Sequence, residues 1–265
     1  MTSKYINFLY LASVTAAALV SGCSSSSGSA SAGTQLTINA AASPQISPAQ
    51  PAGAKTFVND LGDSITLTKA YLVIASTTIE TSCDASFSVN ASDFINFFIP
   101  QAQAHTSSTP TSTGAPYVIN LLEADNVQAS IGALSPPAAS YCGAEIAILA
   151  ADNDAINLPT GAGEPDLIGK SIYLEGSYTL AAGGSGTINM STGAALKNRA
   201  LLLATQVTLS GSSRNAEINI NIHYDTWFNA VDLATLETET AIVTSPLDNN
   251  VNQVLVNVSN SLHQN

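Results

Sequence analysis

Positive charge is scarce in this chain: 7 Lys and Arg stand against 19 Asp and Glu, a net charge of −12. Such a balance repels phosphate backbones, and the few cations form no basic stripe, so no nucleic-acid partner is expected. Histidine and cysteine are as rare, with 3 of each, which leaves little material for acid–base or thiol chemistry. Catalytic and nucleotide motifs are missing too. No HExxH, phosphate loop or dinucleotide fingerprint occurs, and Gly183-Gly184-Ser185-Gly186-Thr187 breaks the nucleophile-elbow pattern. Asp152-Asn153-Asp154 opens like a calcium loop, but Asn157 stands where the sixth-position Gly belongs and Gly163 where the twelfth-position Glu belongs. The chain therefore reads as a non-enzyme.

What it does have begins at residue 1. Lys4 precedes the apolar run Phe8–Val20, which ends in Val20-Ser21-Gly22-Cys23. A membrane-spanning helix needs ~20 apolar residues, so this run is too short to anchor. An aliphatic residue and two small residues before a cysteine form a lipobox, and residues 1–22 read as a removable bacterial lipoprotein signal. Cys23 is the expected lipidation site, carrying acyl chains such as palmitate that join the protein to a membrane. Each buried methylene contributes about 0.8 kcal/mol, so a multiply acylated cysteine is a stable tether. Residues 23–33 continue as a flexible Ser/Gly/Ala linker. Ser24, not Asp, follows Cys23, which under the enterobacterial sorting rule favours the outer over the inner membrane.

With Cys23 committed to lipid, Cys83 and Cys142 remain. An even pair in an exported chain reads as a disulfide, and closing a loop of about 60 residues contributes roughly 4 kcal/mol on the chain-entropy argument. The rival reading is a thiolate metal pair.

Residues 34–265 read as one all-β domain, an antiparallel β-sandwich with a C-terminal amphipathic helix. Alternation and turn signals predict strands at 34–40, 56–59, 64–81, 117–122, 127–134, 141–150, 171–180, 186–190, 201–210 and 216–224. Asp60-Leu61-Gly62-Asp63 marks a hairpin turn between the second and third. The apolar alternation changes phase between Leu67 and Leu72, which predicts a bulge near Lys69. Residues 84–112 read as an insertion with an apolar patch at Phe94–Ile99, either a covering helix or a contact surface. Val251, Val254, Leu255, Val258 and Leu262 fall on one helical face, giving a helix over 249–263.

The tract Ala216–Asp225 carries the chemistry the sequence offers. Ile218, Ile220 and Ile222 alternate inward, so Glu217, Asn219, Asn221 and His223 line the other face, joined by Asp225 if the strand continues. An imidazole two residues from a carboxylate suits copper or another transition metal, with His223, Asp225 and Asn221 as candidate ligands. A solvated sheet face is the alternative. Trp227 reads as a core plug or as the wall of a pocket. Met190 is a gap filler or a soft copper ligand. His105 sits in an exposed loop, and His263 is discounted as terminal.

Several segments together resemble the MbnP-like lipoproteins. They are Ile65–Val73, Tyr117–Leu122, Leu134–Tyr141, Ile172–Tyr178, the Trp227-to-Leu233 turn and the closing helix with Asn257. The resemblance implies a β-sandwich, copper binding and a di-haem protein partner. It transfers no ligand to this chain: the family's fuller cysteine set is absent, and Thr187-Ile188-Asn189-Met190 stands where a histidine is expected. Two functions follow as expectations. One is a copper-binding envelope lipoprotein. The other is a structural or protein-interaction surface lipoprotein without a metal site.

Overall fold

A computed structural model describes residues 33–81, 108–236 and 249–264. Eleven strands occupy Gln35–Ala42 (β1), Lys55–Val58 (β2), Ser64–Glu80 (β3), Tyr117–Asn120 (β4), Ala129–Leu134 (β5), Ser140–Ile148 (β6), Ile172–Thr179 (β7), Ser185–Thr192 (β8), Leu196–Thr208 (β9), Asn215–Ile222 (β10) and Leu262–Gln264 (β11). Among these residues one α-helix, α1, spans Asn249–Asn260. A four-stranded sheet runs β11-β10-β1-β5, and a seven-stranded sheet runs β8-β7-β3-β6-β9 with β2 and β4 also paired to β3. The fold is the expected all-β sandwich.

The two sheets enclose one main core. Leu36, Ile38, Ile218, Ile220 and Ile222 from the smaller sheet pack in one buried cluster with Ile65, Leu67, Leu72, Ile146 and Leu174 from the larger. Each such side chain contributes about 1.5–3 kcal/mol on full burial. The predicted bulge is present: the β3–β7 register slips between Leu67 and Lys69. The slip lets Ile65 and Leu67, at odd positions, and Leu72 and Ile74, at even ones, enter the same core. Gly176 stands opposite the slip, where an added Cβ would lie 2.2 Å from the Thr66 carbonyl oxygen. The other face of β3 is also covered, because Tyr71 and Val73 join Val118, Ala151, Ala155 and Leu167 in a second, smaller cluster.

Three expectations are corrected. β1 and β10 pair in parallel, Gln35 opposite Asn215 and Ala42 opposite Ile222, so the sandwich is not wholly antiparallel. The predicted helix stops at Asn260, and Leu262–Gln264 turn back as β11 against Ile220–Ile222. Ser261 breaks the helix: its hydroxyl donates to the Val258 carbonyl and accepts the Trp227 Nε1–H. The buried Leu262 then continues the core from a strand. Strand β10 itself ends at Ile222, and Tyr224–Thr226 form a single 3-10 turn. The apolar patch at Phe94–Ile99 lies outside the described residues.

Candidate functional site

The directions of β1 and β10 bring one set of groups to one end of the smaller sheet. Both strands run the same way, so the segments after Ala42 and after Ile222 leave side by side, and Ser43 N donates to the Ile222 carbonyl. β5 runs oppositely, with Ala40 opposite Ala129, so Asn126 and Val127 reach the same end. Asn126 N donates to the Ala42 carbonyl and Ser43 Oγ bonds Asn126 Oδ1.

His223 is half-buried here. Its Nδ1 lies 2.7 Å from the Ser43 carbonyl oxygen. A carbonyl only accepts, so Nδ1 carries a proton and donates in this contact. The sequence discounted His263, and this is corrected. β11 places it opposite Asn221, with its ring centroid 4.9 Å from that of His223. Its Nε2 lies 3.0 Å from the Asn260 carbonyl. Asn39 Nδ2 donates to Asn219 Oδ1 across the adjoining β1–β10 pair at 2.9 Å. Asn221, His223 and His263 thus come together on the outer face as far as register allows.

Asp225 does not join them. It is 1% exposed, and its carboxylate accepts the backbone N–H groups of Gln45, Ile46 and Ser47, each at 2.8 Å. The alternation that placed Asp225 beside His223 fails because the backbone leaves the extended conformation after Ile222. The carboxylate folds the 43–47 segment onto the sandwich and is spent as its cap. Among the described residues no group of three or more His, Cys, Asp or Glu is arranged to hold a metal.

No family model, no curated protein and no solved structure matches this chain.

Trp227 is fully buried, its indole N–H donating to Ser261 Oγ, so it is a core plug. Asn257, on α1, donates to the carbonyls of Trp227 and Asn229 at 3.0 and 2.7 Å and fixes that turn. Met190 is 1% exposed within the main core. Cys142 is disulfide-bonded. It precedes Gly143, which faces Glu80 at the end of β3; its expected partner, Cys83, lies outside the described residues, as do Cys23 and His105.

Sequence reasoning missed a second constellation. Lys55, the first residue of β2, is fully buried, and its ammonium lies 2.9 Å from Asp125 Oδ1 with both side chains 0% exposed. The Tyr224 hydroxyl and Gln50 N–H both donate to Asp125 Oδ2, at 2.8 and 2.6 Å. Burial, then the Asp125 carboxylate, push the Tyr224 phenol far above its ordinary pKa, so it remains a hydrogen-bond donor. One signal was available: Lys55 opens an alternating strand at an inward position, an unusual place for a lysine.

Proposed function

We propose that this protein is a lipid-anchored lipoprotein of the bacterial envelope, non-catalytic, whose sandwich presents a protein-interaction surface at the end of the smaller sheet opposite Gln35. The observation that carries the reading is the lipobox ending in Cys23, followed by a linker that meets β1 at Gln35. The parallel β1–β10 pair puts Gln35 and Asn215 at one end of the smaller sheet and the Ser43, Val127 and His223 segments at the other, the end distal to Gln35. Ile46 and Val127, in the distal loops, are 71% and 59% exposed, and apolar side chains at such a tip suit a protein partner. Among the described residues no helix is long and apolar enough to cross a membrane.

Anchoring is tested with Cys23→Ser, which should release the protein from membranes after an alkaline wash. Full retention would overturn the lipoprotein reading. The distal surface is tested with a photo-crosslinking residue at Ile46 or at Arg214. Envelope adducts are expected from the first position and not the second; adducts from neither would remove the interaction reading.

The 4.9 Å pair of imidazoles supports a second reading, a transition-metal site of His223 and His263 with Asn221 beside them. The MbnP-like resemblance adds copper, and a di-haem partner, to that reading. The fixed Nδ1–H of His223 is the kind of second hydrogen bond that orients a metal-binding imidazole. His223→Ala and His263→Ala should each lower Cu(II) affinity at least tenfold, about 1.4 kcal/mol, in competition with a chelator. Equal, weak binding in all three proteins would end it.

A further inference from the structure

The Lys55–Asp125–Tyr224 constellation lies apart from both readings, and its geometry exceeds what a structural ion pair requires. We propose that Lys55 and Asp125 condense into an intramolecular amide bond that ties β2 to the turn before β5.

The groups are arranged as reactants. Two of the three ammonium protons face the carbonyl oxygens of Gln50 and Pro51, at 3.3 and 3.0 Å. Nζ also lies 2.9 Å from Asp125 Oδ1. Removing the third proton leaves an amine lone pair beside the carboxyl, with its two remaining N–H bonds already held. The two carboxyl oxygens differ in a useful way. Oδ2 receives the Gln50 N–H and the Tyr224 hydroxyl, a two-donor pocket for negative charge. Oδ1 accepts no conventional hydrogen bond and meets only the ammonium.

Condensation then runs without any external reagent. One Nζ proton passes to Oδ1, giving a neutral amine and a carboxylic acid. Nζ attacks Cγ, and the negative charge of the tetrahedral intermediate collects on Oδ2 between its two donors. A second Nζ proton passes to Oδ1, the Cγ–Oδ1 bond breaks, and water leaves. One ammonium and one carboxylate become one amide and one water. Reactants held with Nζ 2.9 Å from Oδ1 in a site closed to solvent gain the effective molarity such a slow condensation needs. The edge of Phe57 against Tyr224, with centroids 5.7 Å apart, helps to close the site.

The wild-type protein purified from membranes, denatured, reduced and digested with chymotrypsin, decides the matter by mass spectrometry. A linked pair of peptides is expected, one bearing Lys55 and the other Asp125, lighter than their sum by one water and present in most chains. The Lys55→Met digest should lack this species whether or not the variant folds. Recovery of the wild-type Lys55 and Asp125 peptides separately and unmodified would overturn the proposal and leave a buried ion pair. Neither outcome touches the anchoring test, which reads only membrane retention.

Discussion

Replacing Asp225 by Asn separates a carboxylate that organises backbone from one that awaits a metal. In the wild type Oδ1 accepts one backbone N–H and Oδ2 accepts two, in a site closed to water. Hydrogen bonds to an ionised acceptor contribute about 1.5–3 kcal/mol each. Asn keeps one oxygen. Placed at the Oδ2 position it retains the Ile46 and Ser47 bonds in weaker, neutral form, and turns its NH2 group against the Gln45 N–H. One donor then loses its acceptor, and the other two lose the charge. The expected loss is about 2–4 kcal/mol. For a domain of this size each kcal/mol lowers Tm by roughly 2–4 °C, so a fall of about 5–15 °C is expected. Calorimetry of the full-length protein in detergent measures it, and a Cu(II) titration of the same samples supplies the contrast. Asp225→Ala, which removes all three acceptor contacts, should fall further. A Tm within about 2 °C of wild type, together with lost Cu(II) affinity, would refute the reasoning and return Asp225 to the ligand set.

Three further outcomes are expected. Burial, then the nearby Glu80 carboxylate, raise the Glu145 pKa; the native state binds that proton more tightly than the unfolded chain, so stability falls as pH rises from the ordinary carboxylate range through the raised value. Glu145→Gln should therefore raise Tm at neutral pH and leave it unchanged below the carboxylate range, as thermal scans at both conditions would show. Gly176→Ala drives a methyl into the Thr66 backbone and should cost about 1–3 kcal/mol in denaturant unfolding, whereas Gly211→Ala, with nothing within 4 Å of the new Cβ, should be near neutral. Alkylation of the unreduced, denatured protein should leave Cys83 and Cys142 unlabelled; two labelled thiols would revive the thiolate metal pair.

Much of the sandwich was legible because strands announce themselves by alternation. The tract Ile218–Ile222 put the right side chains inward, and the phase change in β3 located the bulge at Lys69. Pairing partners were not legible. Nothing local in Gln35–Ala42 specifies a parallel neighbour at Asn215–Ile222, since that choice is made by which apolar faces close one core. The site failed for related reasons. Asp225 looked like a neighbour of His223 only while the strand was extended, and three amides from a distant segment determined its role instead. His263 looked terminal because helical periodicity ran through Leu262. That residue is buried equally well from a strand, and Ser261 decided the matter by ending the helix. Lys55 and Asp125 meet only once β2 and the turn before β5 are both in place.

The parallel pairing of β1 also governs when this protein is able to fold. Asn39 bonds Asn219, a partner 180 residues later, so the first strand made waits for nearly the last one. The smaller sheet cannot close until β10 has been synthesised, and contacts this distant in sequence make folding slow. For a chain exported as the lipoprotein reading proposes, threaded across a membrane as an extended polypeptide, such lateness is useful. On that reading the core stays open through translocation, and closure is deferred to the compartment where the disulfide of Cys142 can form. Chains stopped before Asn215 would leave β1 with one side unpaired, an open sheet edge of the kind that aggregates.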